Sequence, residues 1–470
     1  MTAFAKPDFV SFDTFDAFCD IYAARSNFQK VPSYVVLSPS RRGNAVSTQD
    51  KHVSQFKRRS EAPFFSDKNI KDLEERYLSK ISKFTSMLPA SEAGGESGSA
   101  WSKKRDMSDY TTWMTLDVIT DLLYGETLDL LRSDKYRWIP NAFRMVQWRN
   151  LICMNYPTLL KGKMDRILLW PARKELCQLQ NWTYGKSRDE AYRGEDETKP
   201  NLFSVMKSAE ARRAGDSSVD GIVKDIWSES MFLLAAGSES TATTMSVTYF
   251  YLAHAPELLK RVTAEVRSAF IDAEEIRSGA IFDSLHILQA CILETLRIAP
   301  AAPNTLPRVV PAEGAHIAGH YIPGGTTVGT SLYAMQHNAM YWDRPDSFVP
   351  ERWLARLKEE TAKEIAATAS PGFAPFGMGP RNCLGWRLAW AEMTVALARV
   401  LFLFDMRLES DAPCCAKRGG GEECEPDFPG YITMAAKGPY VEFRRRQDEA
   451  VVASGECGNP RRRSGPSVAT

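Results

Sequence analysis

Phe376-Gly377-Met378-Gly379-Pro380-Arg381-Asn382-Cys383-Leu384-Gly385 is the stretch on which the reading of this chain turns. A glycine-rich loop delivers one cysteine, and an apolar helical pattern starts behind it near Leu384 and runs to about Phe402. The first N–H groups of a helix have no partner within the helix and favour an anion ahead of them. A cysteine in that position is biased toward the thiolate, the form that ligates metal. Isolated cysteines are more commonly inert and buried. A zinc site needs companions, and the sequence has no C-x-x-C or H-E-x-x-H. His316 and His320 are spaced i, i+4, but the Gly and Pro beside them place them in strands or turns. A dinucleotide loop fails at its third glycine, where Asn382 stands.

Outward from this loop the chain reads as mainly α with a small β region. One helical pattern without proline runs from about Ser218 to Ala253 and stops at His254-Ala255-Pro256. That is some three times the ordinary helix length, enough to cross a whole fold. A second helix runs from about Ser284 to Ile298 and ends before Pro300. Strand character appears between Arg308 and Val328, with a hairpin signal at Gly319-His320-Tyr321-Ile322-Pro323-Gly324-Gly325. The first half is mostly helical. It is interrupted by a Ser/Gly loop, Ser91 to Ser99, and by a polar stretch, Tyr184 to Pro200. An irregular insertion at about 411–427 carries Cys414, Cys415 and Cys424 without metal-ligand spacing, and 447–470 reads as a polar tail. The expected unit is a single domain over 1–446.

Composition removes several function classes. The formal net charge of +1 over 470 residues offers no global attraction for nucleic acid. Nine scattered cysteines do not form a disulfide framework. No apolar run reaches the roughly 20 residues that span a bilayer, and the first residues do not read as a signal peptide. The chain as written is expected to be soluble or peripheral to a membrane.

Three further motifs lie in a fixed order. Glu294-Thr295-Leu296-Arg297 puts an acid and a base on one helical face amid apolar neighbours, so the pair is expected to be buried and to need a further partner. Pro350-Glu351-Arg352-Trp353 follows. Ala236-Gly237-Ser238-Glu239-Ser240-Thr241 sits mid-way along the long helix, where a glycine and hydroxyl residues can loosen the helix and open a groove.

With Phe376, Gly379, Arg381, Cys383 and Gly385 matching F-x-x-G-x-R-x-C-x-G, the chain resembles the cytochrome P-450 superfamily of haem-thiolate monooxygenases. The resemblance implies the P-450 fold, haem b, and Cys383 as axial ligand of its iron, where a thiolate pushes electron density onto the metal. Gly379 and Gly385 are expected to let backbone approach the macrocycle. Arg381, Arg308 and Arg58 are expected to bind its propionates; Ser54 stands where the family's tryptophan precedes the last of these. The family's lock would join Glu294, Arg297 and Arg352, with Trp353 replacing phenylalanine, apolar for apolar. Glu239 and Ser240 fall at the family's acid–alcohol pair, which delivers protons during oxygen activation. Ser240 lacks the usual methyl, so its rotamer is less fixed, and Thr241 or Thr244 could partly substitute.

Phe232, Ala236, Asn304, Thr305 and Ile432 are substrate-pocket candidates by position. The resemblance further implies O2 as co-substrate, electrons from NADPH through a cytochrome P-450 reductase with cytochrome b5 as a second donor, and a small apolar substrate. In detail it is similar to fungal members of secondary metabolism. Eukaryotic members usually begin with a membrane anchor and a first helix–strand block. This chain is expected to start after them, short of edge strands, and an upstream anchor would place it at the endoplasmic reticulum. Two alternatives stand beside this reading: a haem-thiolate isomerase or peroxide-using enzyme, and a truncated non-catalytic member.

Overall fold

The computed structural model describes residues 3–447 except 7, 41–42, 90–99, 194–200, 215–218, 280–283, 409–424 and 430. The insertion with its three cysteines, the Ser91 to Ser99 loop and nearly all of the tail lie outside the described residues.

The axis of the molecule is the helix Val219–His254, 36 residues and about 54 Å long. It ends at Ala255 because Pro256 opens the next helix, Pro256–Ala269, where a missing N–H costs nothing. Its most extensive neighbour is the helix Met107–Tyr124. Asp106 caps that helix at its start, accepting from the Ser108 N–H, and Gly125 closes it at φ 70°. The long helix carries a row of buried hydroxyls, which most satisfy by donating to the carbonyl four residues back: Ser238 to Leu234, Ser240 to Ala236, Ser246 to Ala242 and Thr248 to Thr244. Thr115 and Thr111 of the neighbouring helix add bonds to the carbonyls of Ser238 and Ala242. The helix is continuous through Gly237, whose missing side chain makes room for Ile119. The helix His286–Ile298 and the cysteine-side helix Trp386–Leu403 pack beneath, inside one large apolar core.

The β region is a five-stranded sheet in the order Ala3–Lys6, Phe9–Phe12, Thr327–Thr330, Arg308–Val309, Gln29–Lys30, with a three-stranded sheet and the hairpin Ala315–Ile317/His320–Ile322 beside it. His316 pairs with Tyr321 and Ile317 with His320 in that hairpin. Two expectations need correction. The N-terminal residues supply an edge strand, Ala3–Lys6, and the strand next to it, Phe9–Phe12, which runs parallel to Thr327–Thr330. The polar stretch from Tyr184 breaks later than expected: the helix Trp170–Tyr192 continues eight residues beyond that point, polar because much of that face is solvated, and the next helix is Leu202–Ala214. Among the described residues no helix is long and apolar enough to cross a membrane.

Candidate active site

The cysteine loop is shaped by two left-handed glycines, Gly377 at φ 71° and Gly379 at φ 68°. The loop closes on itself, with the Cys383 N–H donating to the Phe376 carbonyl at 2.8 Å. A side chain at Gly379 would strike the Tyr22 carbonyl, so this position admits only glycine against the chain's own backbone. At Gly385 a Cβ would meet only ordinary contact with Phe65. The Cys383 residue is accessible although protein surrounds it, so it lies on the wall of an internal recess.

Burial pushes the Cys383 thiol up, and the Gly385 N–H and the Arg58 guanidinium offset only part of this. In the protein without metal, desolvation of the sulfur opposes the bias toward thiolate that the helix start provides. A metal cation at the sulfur would reverse the balance.

Four cations converge behind the loop. Arg381 donates to the Ala45 carbonyl at 3.0 Å and to the Ser54 hydroxyl, and Ser54 donates to the same carbonyl at 2.9 Å. Ser54 thus fills the expected tryptophan position with a hydrogen bond to Arg381. Arg58 donates to Asn382 Oδ1 at 2.9 Å, and Arg308 to the Tyr34 hydroxyl at 3.1 Å. Burial and the charges of Arg308 and Arg58 lower Arg381 to about 10. The fourth cation, Lys30, was not foreseen from the sequence. A lone lysine in an extended stretch gives no signal until the strand pairing sets it directly opposite Arg308. This donor set fits a buried group with two carboxylates and a metal ahead of the cysteine, which is the chemistry of a haem edge.

On the long helix, burial pushes Glu239 up to about 7. Thr433 Oγ1 lies 2.6 Å from Gln147 Oε1 and 3.3 Å from Glu239 Oε2. One hydroxyl proton cannot serve both acceptors. A protonated Glu239 that donates to Thr433 resolves the conflict. Beside the carboxyl is a cavity of about 20 Å³ lined by Ser108, Thr112, Arg144, Thr243 and Ser246, a polar space with room for a water. Gln147 and Thr433 also carried no sequence signal, because they come from distant segments. Ser240 donates to the Ala236 carbonyl at 2.7 Å. Thr241 is buried, and the Thr244 hydroxyl is engaged by the Ser240 carbonyl at 3.1 Å.

Of the pocket candidates, Asn304 reaches the carbonyls of Tyr431 and Ile432 at 2.8 and 3.3 Å, so Asn304 and Ile432 meet. Thr305 bridges to Ser331 at the sheet edge, while Phe232 and Ala236 lie one turn apart on the long helix.

Away from the recess, Arg297 grips Glu294 with two bonds, at 2.8 and 3.0 Å, both side chains fully buried. Arg352 adds a bond at 3.2 Å and the Val349 N–H one at 2.9 Å. Trp353 is not merely apolar for apolar: its indole N–H donates to Glu294 Oε2 at 2.8 Å.

A family model described as Cytochrome P450 matches residues 15–419. The chain is 30% identical to the cytochrome P450 monooxygenase poxM of Penicillium oxalicum, over 93% of this chain and 81% of that protein. It is 31% identical to the cytochrome P450 monooxygenase AKT7 of Alternaria alternata, over 90% and 82%, and 30% identical to atnE of Emericella nidulans, over 94% and 84%.

Proposed function

Because this chain belongs to the cytochrome P450 family, whose curated relatives are monooxygenases, we propose that it binds haem b through Cys383 and oxygenates a small apolar metabolite by hydroxylation or epoxidation. When bound, the haem supplies the activation of O2 and the transfer of one oxygen atom. The chain's own residues do the rest. Cys383 holds the metal from the loop side, and Arg381, Arg308 and Arg58 hold the propionates. Glu239, about half protonated at neutral pH, holds or yields a proton at its carboxyl beside Ser240 on the same helical turn. Phe232, Ala236, Asn304, Thr305 and Ile432 line the substrate side. Electrons come from NADPH through a cytochrome P450 reductase, with cytochrome b5 as a second donor. The substrate belongs to fungal secondary metabolism, as the relatives' source organisms suggest.

The observation that carries this reading is the pairing of an accessible, protein-enclosed Cys383 with a converging set of cations that form no ion pair among the described residues. The test is a difference spectrum of the reduced, CO-treated protein. The wild type should show the thiolate-type Soret band, and Cys383→Ala should lose it while retaining its far-ultraviolet dichroism. A band that survives in the variant overturns the ligand assignment. Product formation that needs neither O2 nor an electron donor would favour an isomerase or peroxide-using enzyme instead.

A further inference from the structure

Lys30 stands where a fold would not choose to put it. It is 6% exposed, and it sits directly across an antiparallel ladder from Arg308, so the two side chains leave the same face of the sheet. Like charges directly opposite destabilise a strand pair. Its ammonium donates to the Val46 carbonyl and lies 3.5 Å from the Ala45 carbonyl, the oxygen that Arg381 also binds. It also lies 5.3 Å from the centre of the Tyr34 ring, whose hydroxyl takes the bond from Arg308. The charged groups that bear on it are Arg381, Arg308 and Arg58, all repelling, and Glu229, attracting. Glu229 is already engaged by the Lys57 ammonium at 2.9 Å and by the Ala45 N–H at 2.8 Å. Among the described residues, no ion pair is made by Lys30, Arg58, Arg308 or Arg381.

Resting on the haem reading above, we propose that Lys30 is a fourth cation of the propionate cradle and that it couples cofactor loading to the uptake of one proton. Desolvation and the three guanidiniums lower the Lys30 ammonium to about 6 in the protein alone, so at pH 7.5 it is mainly the neutral amine. Two carboxylates arriving beside it reverse the field and favour the charged form. The proton comes from solvent and stays on Nζ, and no bond to carbon changes. Binding that raises a group's affinity for protons must itself weaken as protons become scarce. The Lys30 contribution to haem affinity therefore falls as pH rises above about 6, by roughly tenfold per unit for one coupled proton.

The experiment titrates hemin into the full-length chain produced without haem. It is followed by the Soret band and by calorimetry in two buffers of different ionisation enthalpy. Cys383 releases its proton to the buffer on binding metal in every variant, so the informative quantity is the difference in proton count between proteins. At pH 7.5 the wild type should take up about one proton more than Lys30→Arg, whose guanidinium stays charged throughout. From pH 6 to 8 its affinity should fall by about tenfold per unit relative to that variant. Lys30→Met should show the same missing proton with weaker binding at pH 6. Equal proton counts and parallel pH curves in wild type and Lys30→Arg overturn the proposal while leaving the haem reading standing, provided both bind hemin. A wild-type chain that takes up no hemin removes both.

Discussion

The Glu294–Arg297–Arg352 cluster and the Lys30–Arg58–Arg308–Arg381 cluster both take charge out of water, but on opposite terms. In the first, one carboxylate accepts from Arg297, Arg352, Trp353 and the Val349 N–H. The remaining Arg297 donors end on the carbonyls of Gln336, Pro345 and Ser347. Every strong group is answered from within the chain. In the second, four cations repel one another around a recess; of the acids that bear on them, Glu229 is held by Lys57 and Glu61 is pushed toward its neutral form by burial. A closed cluster specifies the fold. An open one specifies a ligand, since its mutual repulsion is relieved only by an anion from outside.

The largest expected effect follows from opening the closed cluster. Glu294→Gln leaves Arg297 buried without a counter-charge, at a cost of about 3–5 kcal/mol. Denaturant unfolding of the haem-free chain should show that loss, or the variant should fail to accumulate folded. Opening the open cluster further should do the reverse. Arg381→Ala removes a repelling charge, so the haem-free chain should unfold at the same denaturant concentration as wild type or a higher one. Its hemin affinity should drop roughly ten- to a hundredfold, the worth of a charge-assisted bond. If Arg381→Ala lost stability as Glu294→Gln does, the distinction between the two clusters would collapse.

Glu239 is a third case, a carboxyl whose burial outweighs the charge of Arg144 beside it. Its pKa in the fold, about 7, exceeds the ordinary 4.5. Between those values the folded state binds more protons than the unfolded one, so its contribution to stability is largest in acid and declines as pH rises to about 7. Glu239→Gln keeps a neutral group there and should lack that decline in pH-dependent unfolding. In turnover, the wild type should lose proton supply as pH rises through 7, and the glutamine variant should be slow and flat across the same range.

The parts of this molecule legible in sequence were those encoded by neighbours in the chain. The long helix shows its length through the absence of proline and its end through Pro256, and the cysteine loop shows its turns through glycine. Glu294 and Arg297 declare themselves by helical spacing. What stayed hidden depends on long-range pairing. Lys30 gains meaning only when a short strand sets it against Arg308. Thr433 reaches Glu239 across 194 residues of chain and is shared with Gln147 from a third segment. The desolvation that raises the Cys383 thiol was likewise hidden, because helix position is local whereas desolvation belongs to the whole surrounding fold.

The smallest effect tests how finely the closed cluster is tuned. Trp353 stands where the family's usual residue is phenylalanine, and its indole N–H reaches Glu294 at 2.8 Å. Its ring packs against Trp342 and Phe373, with centroids 5.3 and 4.6 Å away. Trp353→Phe keeps an aromatic ring and removes one donor from a carboxylate that retains several others. The expected loss is about 1–2 kcal/mol in unfolding free energy, with hemin affinity and proton count unchanged because the open cluster is untouched. A loss as large as that of Glu294→Gln would mean that the indole, rather than the guanidiniums, carries the burial of the acid. A change in hemin affinity with no change in stability would mean that the two clusters are coupled through the fold and cannot be treated as separate devices.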